Sequence, residues 1–259
     1  MNKYNQLFDL KNKVAVVIGG AGYLCSSMVK ALYHNGCKVV IIDLRKKKIE
    51  KLLKEIPEYE KERLIYFTLD ALNKKKLIET RNKIIKKFKM VNILINGAGI
   101  NAPTDFFNIS YMEWKNIIDS HITTTLYGCQ VFGLDMIKKK EGSIINISSA
   151  SAGPPLSKAF AYSAAKSAVK NITQNLAREW GTKGVRVNCI RPGFFPTEWN
   201  KKNFLDKKRI KNIFNHTPMR RFGDPYELVG AIIWLSSNSS SFVTGAEINV
   251  DGGFSCMTI

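Results

Sequence analysis

Three residues in the middle of the chain have the chemistry to exchange a proton with a bound molecule: Ser149, Tyr162 and Lys166. Tyr162 and Lys166 are four positions apart, which places them on one face of a helix. A free phenol has a pKa of about 10, and a neighbouring ammonium group favours its ionised form. Ser149 ends an apolar stretch and could hydrogen-bond the same substrate oxygen. Because many helices carry this spacing by chance, the surrounding elements must decide whether the pair is catalytic.

The segments that would hold these residues alternate between two kinds. Apolar runs of strand length alternate with longer runs of helical periodicity, which is typical of a parallel sheet covered by helices on both faces. The predicted strands are residues 14–18, 38–43, 64–68, 91–96, 143–148, 185–190 and 247–250. The predicted helices are residues 23–34, 46–56, 74–88, 112–138, 160–180 and 225–236. This order predicts an α/β fold with one doubly wound parallel sheet of about seven strands.

Length and composition fit a single domain spanning residues 1–259. A chain of 259 residues with 45% hydrophobic content can bury one large core. Residues 194–217 interrupt the alternation, and long excursions at the carboxyl edge of such a sheet are often substrate lids. The sequence has no apolar run of about 18 residues and no signal-peptide pattern. We therefore expect a cytoplasmic protein with no membrane partner.

The formal charge of +19 raises the question of nucleic-acid binding. Lysine is spread along the whole chain on predicted helix faces and helix ends, and isoleucine and asparagine are abundant too. This distribution favours a general compositional bias over a dedicated binding surface. We expect no nucleic-acid partner, and the charge could instead assist the capture of anionic small molecules.

The cysteines give no sign of metal or disulfide chemistry. They are five in number and widely scattered, without the Cys-x-x-Cys spacing of zinc or redox sites. We expect buried, reduced thiols and no metal site. The residues are Cys25, Cys37, Cys129, Cys189 and Cys256.

A glycine-rich turn follows the first strand and opens the first helix, and it predicts a dinucleotide site. Such a turn lets the backbone approach a pyrophosphate at the helix N-terminus. The turn residues expected to contact the cofactor are Gly19, Gly22, Tyr23 and Leu24. Asp43 closes the second strand, where a carboxylate can accept hydrogen bonds from both adenosine ribose hydroxyls and repel a 2′-phosphate. This favours NAD over NADP, although Arg45 keeps NADP open, and Asp43 could instead cap the next helix.

Several motifs occur in a fixed order along the chain: the glycine turn, Asn96-Gly97-Ala98-Gly99, Ser149, Tyr162 with Lys166, and Pro192-Gly193. With this order the chain resembles the short-chain dehydrogenase/reductase family over essentially its whole length. The resemblance implies a Rossmann-like domain, a nicotinamide cofactor beside the Tyr and Ser pair, and a homotetramer or homodimer.

The resemblance also assigns roles to individual residues. Tyr162 would be the general acid/base, Lys166 would lower its pKa and hold the nicotinamide ribose, and Ser149 would orient the substrate oxygen. Asp70 matches the position that contacts adenine, and Thr197 the position that binds the nicotinamide carboxamide. The rest of the implied cofactor-binding set is Asn96, Ala98, Gly99, Pro192, Gly193 and Phe195.

The sequence departs from the family pattern at four positions. Ile18 and Cys25 stand where the turn usually begins with threonine and ends with glycine, and Gly97 replaces a common asparagine. His121 stands where many members carry an asparagine that supports a water-mediated proton relay. An imidazole can donate and accept a hydrogen bond, so His121 could hold the same water. The alternative is a purely structural histidine.

The last third of the sequence narrows the resemblance. Residues 192–200, 216–225 and 251–255 are similar to the branch of D-mannonate oxidoreductases, also called fructuronate reductases. This implies reversible hydride transfer between NADH and the keto group of a hexuronate such as D-fructuronate. Polar candidates for sugar-acid binding are Asn101, Ser151, Lys158, Asn200 and Lys201, of which one of the two lysines would meet the carboxylate.

Two other functions stay open on the sequence alone. A carbonyl, polyol or 3-oxoacyl reductase would share the catalytic residues but need an apolar substrate channel. A non-catalytic cofactor sensor or scaffold could use the same fold, since fold does not fix function. The complete set of Ser149, Tyr162 and Lys166 argues against that last alternative.

Overall fold

The structure, a computed structural model, describes residues 6–57 and 59–257. Its centre is a parallel sheet with the strand order β3-β2-β1-β4-β5-β6-β7. The strands are β1 (Val14–Ile18), β2 (Lys38–Asp43), β3 (Leu64–Thr68), β4 (Ile93–Asn96), β5 (Gly142–Ile147), β6 (Val185–Pro192) and β7 (Glu247–Val250). The inner strands are continuous apolar runs because helices cover both faces of the sheet. The predicted fold class, a Rossmann-like doubly wound sheet of seven strands, is confirmed.

Nine α-helices cover the sheet within the described residues. They are α1 (Tyr23–His34), α2 (Lys46–Lys54), α3 (Lys74–Phe88), α4 (Tyr111–Ile118), α5 (Thr124–Lys139), α6 (Phe160–Trp180), α7 (Glu198–Phe204), α8 (Lys207–Asn215) and α9 (Val229–Ser236). Apolar side chains of α1, α2 and α9 form the core on one face, and those of α3, α5 and α6 form the core on the other. Alternate residues of each strand supply the two cores, as the pleat requires.

The prediction of one continuous helix over residues 112–138 was wrong. A five-residue π-helical turn, Asp119–Thr123, separates α4 from α5. Such a turn inserts an extra residue into the helix and is common at functional sites. It places the buried side chain of His121 toward the carboxyl edge of the sheet.

The excursion after β6 contains two short helices that the sequence pattern did not predict. Thr197 caps α7, and Asp206 caps α8 by accepting a hydrogen bond from the backbone N–H of Arg209. Of the α8 side chains only Ile213 is fully buried. The excursion therefore packs against the domain through few residues and is otherwise charged.

The expectation of buried thiols holds for four cysteines and was wrong for Cys256. Cys256 is exposed, because it lies in a short 3₁₀ turn after β7 at the end of the described chain. In the described part of the chain, no helix combines the length and the apolar character that crossing a membrane requires.

Candidate active site

The turns that follow β1 and β4 diverge at the carboxyl edge of the sheet and open a cleft of about 690 Å³. The strand order reverses at this point, which is where doubly wound sheets bind ligands. The residues after β6 and the helices α7 and α8 form the opposite wall. The predicted site residues that line the cleft are Gly22, Tyr23, Leu24, Gly99, His121, Ser149, Tyr162, Lys166, Pro192, Gly193, Phe195 and Thr197.

Tyr162 and Lys166 lie on one face of α6, as their spacing predicts. The Lys166 side chain is buried, and its Nζ donates a hydrogen bond of 2.6 Å to the carbonyl oxygen of Ile147 at the end of β5. The same Nζ lies 5.6 Å from the centroid of the Tyr162 ring. Burial lowers the pKa of Lys166 to about 8, because desolvation penalises the charged form. Lys166 is therefore mostly charged at neutral pH and loses its charge in mildly alkaline solution.

Tyr162 is a neutral phenol at neutral pH. Burial raises its pKa above the usual value, and a hydrogen bond with the Ser149 side chain opposes that shift. A neutral phenol next to a cation can donate a proton to an oxygen that is gaining negative charge. The protein thus holds Tyr162 in the form of a general acid.

Ser149 follows β5, and Ser151 fixes the orientation of its hydroxyl group. The Ser149 Oγ accepts hydrogen bonds from the Ser151 backbone N–H at 3.2 Å and from the Ser151 hydroxyl at 3.1 Å. A hydroxyl oxygen has two acceptor positions and one proton to donate. Because both acceptor positions are used, the Ser149 proton is directed at the Tyr162 oxygen, and a ligand oxygen in the cleft can take the place of that oxygen. The sequence analysis placed Ser151 among the sugar-binding candidates and missed this positioning role.

His121 lies between the turn after β4 and Tyr162. Its ring meets the Tyr162 ring edge to face, with centroids 5.1 Å apart and an interplanar angle of 77°. Its Nε2 is 2.8 Å from the carbonyl oxygen of Ile100, and since a carbonyl only accepts, Nε2 carries the proton. A side chain at Gly99 would overlap the imidazole ring. His121 therefore depends on a glycine at position 99.

The imidazole of His121 is uncharged at neutral pH. Burial, with a further contribution from Lys166, lowers its pKa well below the usual value of 6.5. Among the described residues, its buried Nδ1 has no hydrogen-bond partner. With the proton on Nε2, Nδ1 is an acceptor that a water molecule or a ligand hydroxyl can use.

The glycine turn has the features of a pyrophosphate site. Gly19 has a φ of +74°, and its Cα packs so closely on the backbone of Ala98 that a Cβ would lie 2.7 Å from the Ala98 nitrogen. Gly22 begins α1 without a side-chain cap, and the first turn of α1 has no acidic residue. Its backbone N–H groups and the helix dipole are thus directed at the cleft. These observations fit a dinucleotide cofactor.

Asp43 is buried at the end of β2, where both carboxylate oxygens accept backbone hydrogen bonds. Oδ2 accepts from the N–H of Ala21 at 3.1 Å, and Oδ1 accepts from the N–H of Arg45 at 3.0 Å. Arg45 is the N-cap of α2, so Asp43 does not occupy the capping position that was considered for it. Arg45 and Lys48 line the cleft at this end. A carboxylate and two cations thus lie around the position predicted for the adenosine ribose.

Three other predicted cofactor residues lie outside the cleft surface. Asn96 is buried in a polar chain, where its side chain donates a hydrogen bond of 2.8 Å to Asn146. Ala98 supports Gly19 from behind. Asp70 is exposed and accepts a hydrogen bond from the backbone N–H of Leu72. Thr197 does line the cleft, but its hydroxyl exchanges hydrogen bonds with Asn200 in the cap of α7.

Two departures from the family pattern compensate each other. The Cys25 side chain fills the space above residue 97, and a Cβ at Gly97 would overlap its Sγ. Because Gly97 has no side chain, there is room for a thiol at position 25, where the family usually has glycine. Burial raises the pKa of the Cys25 thiol to about 12, so this group is unreactive packing.

The substrate end of the cleft differs from the sequence expectation in its charges. Asn101, Ser151 and Asn200 line the cleft as predicted, but Lys158 and Lys201 do not. Lys201 pairs with Glu198 at 2.8 Å on the exposed side of α7, and Lys158 pairs with Asp105 at 3.7 Å. The basic residue from this region that does line the cleft is Arg209, on α8. Little in the sequence singles out Arg209, because it is one of many basic residues in the excursion.

Comparison with known proteins gives relatives of full length. A family model described as enoyl-(acyl carrier protein) reductase matches residues 23–255. An uncharacterized oxidoreductase of Bacillus subtilis, UxuB, is 36% identical over 95% of this chain and 96% of its own. A 2-dehydro-3-deoxy-D-gluconate 5-dehydrogenase of Formosa agariphila is 33% identical over 95% of this chain and 94% of its own.

Solved structures share the fold over the same length. A protein of Haemophilus influenzae described as a D-mannonate oxidoreductase, with bound NAD, has a TM-score of 0.89 and 33% identity over 96% of this chain and 97% of its own. A gluconate 5-dehydrogenase of Burkholderia cenocepacia, in complex with NADP and tartrate, has a TM-score of 0.91 and 25% identity over 98% and 99%. Sequence and fold agree over nearly the whole length, and the chain belongs to the short-chain dehydrogenase/reductase family.

Proposed function

We propose that the protein is an NAD-dependent oxidoreductase that interconverts the keto and hydroxyl groups of a sugar acid, with D-fructuronate and D-mannonate as the leading pair. The observation that carries the proposal is the convergence of Ser149, Tyr162 and Lys166 on a cleft that also contains an uncapped helix N-terminus. Such an arrangement serves proton transfer to a carbonyl oxygen beside a bound dinucleotide.

The proposed proton transfer follows from the hydrogen bonds of the three residues. The Ser149 hydroxyl, held by Ser151, donates to the substrate carbonyl oxygen and orients it. Tyr162 then gives its phenolic proton to this oxygen as negative charge develops on it. Lys166 stabilises the resulting phenolate by its positive charge, and one proton from solvent restores the phenol. When bound, a nicotinamide cofactor would supply the hydride for reduction of the carbonyl carbon and would accept it in the reverse direction.

The cofactor would lie along the side of the cleft that the glycine turn and the start of α1 form. Gly19, Gly22, Tyr23 and Leu24 would hold the pyrophosphate, and Asp43 the adenosine ribose. Asn96, Ala98 and Gly99 would support the ribose from the turn after β4. Lys166, Pro192, Gly193, Phe195 and Thr197 would hold the nicotinamide half. Asp70 would contact adenine only from its exposed position at the end of β3.

The preference for NAD over NADP rests on Asp43. A 2′-phosphate beside this buried carboxylate would be repelled, whereas ribose hydroxyls can donate to it. Arg45 and Lys48 favour the opposite choice, because guanidinium and ammonium groups bind phosphates. The relative rates with NADH and NADPH measure the balance directly, and a preference for NADPH would contradict the role assigned to Asp43.

The sugar-acid substrate is supported by individual polar and charged residues in the cleft lining and by the relatives. Asn101, Asn200 and Arg209 offer hydrogen bonds and a positive charge where a 3-oxoacyl reductase would need an apolar channel. The named relatives with 33% identity are described as acting on D-mannonate and on 2-dehydro-3-deoxy-D-gluconate.

The test is NADH oxidation with D-fructuronate, 5-keto-D-gluconate, neutral ketohexoses and acetoacetyl thioesters in parallel. We expect the highest kcat/KM with D-fructuronate and loss of activity in the Tyr162→Phe variant, which keeps the ring but lacks the proton. Turnover of thioesters alone would contradict the substrate class, and full activity of Tyr162→Phe would contradict the mechanism.

We infer that the subunit forms a homodimer or homotetramer. The turn before α4 and the start of α4 expose apolar side chains, among them Phe107 at 98% and Tyr111 at 77%. An isolated subunit would leave this surface in water, and closed symmetric assemblies commonly bury such patches. Light scattering on the purified protein should give two or four times the mass of the chain.

A further inference from the structure

A second cavity lies outside the catalytic cleft and shares one wall with it. It measures about 390 Å³ and is bordered by the loop before α6 and by the lid helices α7 and α8. Leu205 and Arg209 line both cavities. Arg209 therefore stands at the boundary between the catalytic cleft and an outer pocket that Lys158, Lys202 and Lys208 also line.

Arg209 is attached to the loop that joins Ser149 to Tyr162. Its Nη1 donates to the Ser157 Oγ at 2.8 Å, and its Nη2 donates to the Ser157 carbonyl oxygen at 3.0 Å. Two parallel N–H groups of the guanidinium thus hold two oxygen atoms of one residue. The same fork matches the two oxygen atoms of a carboxylate.

The other basic groups that line the described cleft lie at its other end or beside Tyr162. Arg45 and Lys48 lie at the end where Asp43 is placed, and Arg45 pairs with that carboxylate at 3.5 Å. Lys166 donates to the end of β5 beside Tyr162. Of the cleft-lining cations that the structure describes, Arg209 is the one on the substrate side.

Arg209 and Tyr162 line the same cleft. The side chains of Leu156 and Ala159, which flank the Arg209 partner Ser157 in sequence, line the cleft together with Tyr162. A substrate whose keto oxygen meets Ser149 and Tyr162 therefore extends its chain past this loop toward α8. A carboxylate at the far end of the substrate would then meet the planar guanidinium group of Arg209.

We propose that Arg209 is the residue that binds the carboxylate of the substrate and so makes the enzyme select sugar acids over neutral sugars. This rests on the proposed function, because it assigns the specificity of the same site. The bound substrate then links α8, through its carboxylate and Arg209, to Ser149 and the loop that follows it. Binding of the acid therefore holds residues 194–217 against the cleft as a lid.

The test compares an acid with a neutral sugar that differs at one carbon. D-fructose has a hydroxymethyl group where D-fructuronate has its carboxylate, and the keto group is the same. In Arg209→Gln we expect kcat/KM for D-fructuronate to fall about 100-fold, mainly through KM, with less than about a threefold change for D-fructose. Arg209→Lys, which keeps the charge without the fork, should lose about tenfold for the acid.

A matched variant separates carboxylate binding from general charge. Lys208→Gln removes a neighbouring cation that lines the outer cavity and not the catalytic cleft. It should keep the wild-type ratio of acid to neutral activity. An equal loss with acid and neutral sugar in Arg209→Gln, or an unchanged ratio, would overturn the proposal.

A binding measurement gives an answer without turnover. We expect the dissociation constant of D-mannonate, measured by calorimetry with saturating NADH, to rise about 100-fold in Arg209→Gln and to stay unchanged in Lys208→Gln. Unchanged affinity in Arg209→Gln would also overturn the proposal. Wild-type enzyme that neither binds nor turns over any sugar acid would contradict the proposed function itself, which is a different result. Should Arg209→Gln fail to fold, Arg209→Lys decides by the same two measurements.

Discussion

At the scale of single residues, burial sets the charge of each group at the reacting end of the cleft. Lys166 is shifted to a pKa of about 8, Tyr162 to a higher pKa than usual and His121 to a lower one. At neutral pH this leaves one cation beside two neutral groups. A neutral Tyr162 can give its proton to a carbonyl oxygen, so the resting site is prepared for reduction.

The pKa of Lys166 leads to a testable pH dependence. Its folded-state pKa is lowered, so its charge is complete well below pH 8 and is lost as the pH rises through about 8. We expect kcat for ketone reduction to decrease over that range, toward about tenfold per pH unit, because the phenolate of Tyr162 then loses its counter-charge. Initial rates of NADH oxidation at saturating substrate measure this decrease.

Lys166→Arg is the matched control for that pH dependence, since arginine stays charged to a pKa above about 12. Whatever its absolute rate, this variant should not show the decrease near pH 8. A decrease at the same pH in both enzymes would mean that another group causes it.

His121 gives the second prediction at this scale. An asparagine can donate to the Ile100 carbonyl with its amide and still offer an oxygen as acceptor, as the neutral imidazole does. We expect His121→Asn to keep kcat within about threefold and His121→Ala to lose about tenfold or more at low and neutral pH.

The pH profile separates a relay from simple packing. Because His121 is neutral, the wild-type profile should show no titration near 6.5, and His121→Asn should reproduce the wild-type profile. Equal activity of wild type, His121→Asn and His121→Ala would exclude the relay. A change of rate with an apparent pKa near 6.5 that is present in the wild type and absent from His121→Asn would contradict the neutral imidazole.

At the scale of elements, the cofactor wall depends on how closely α1 approaches the turn after β4. Glycine usually provides this contact at the end of the family turn, and here Cys25 provides it against Gly97. In the sequence, Cys25 and Gly97 are two separate departures from the family pattern. In the structure they are in contact and pack as one unit. A changed volume at either position displaces the helix whose N-terminus faces the cleft.

A double-mutant cycle tests this packing unit. Gly97→Ala alone should lower the free energy of unfolding by about 1–3 kcal/mol, because its methyl group overlaps the Cys25 Sγ. Cys25→Gly removes that overlap, so the double variant should be more stable than the sum of the single effects, with a coupling of at least about 1 kcal/mol. Urea unfolding measures all four proteins, and strict additivity would contradict direct contact.

The same scale shows which parts of the fold a sequence can predict. The bounds of β1, β2, β3, β7, α1, α3 and α6 agree with the prediction, because each has a clear apolar period and a turn or cap beside it. The break at Asp119–Thr123 has no glycine or proline and depends on packing of His121 against Gly99, which is tertiary. The helices α7 and α8 are short and charged, so their period was weak.

The candidate site likewise has residues that the sequence could predict and residues that it could not. The motifs identified Ser149, Tyr162, Lys166 and the glycine turn, since local elements position them. The sequence could not show that Ser151 orients Ser149 or that Arg209, rather than Lys158 or Lys201, lines the cleft. Those facts depend on how separate loops and helices dock, and no local pattern encodes that docking.

At the scale of the whole molecule, the charge of +19 creates a positive field around a cleft that takes anions. We expect kcat/KM for D-fructuronate to fall about three- to tenfold between about 20 and about 300 mM NaCl, because salt screens attraction beyond a Debye length of about 10 Å at 0.1 M. The neutral ketose, measured at the same fixed and saturating NADH concentration, should change by less than about twofold, since it experiences no net attraction. Equal salt dependence for both substrates would mean that salt acts on cofactor binding or on the fold. No salt dependence for the acid would mean that the lysine-rich surface contributes nothing to substrate capture.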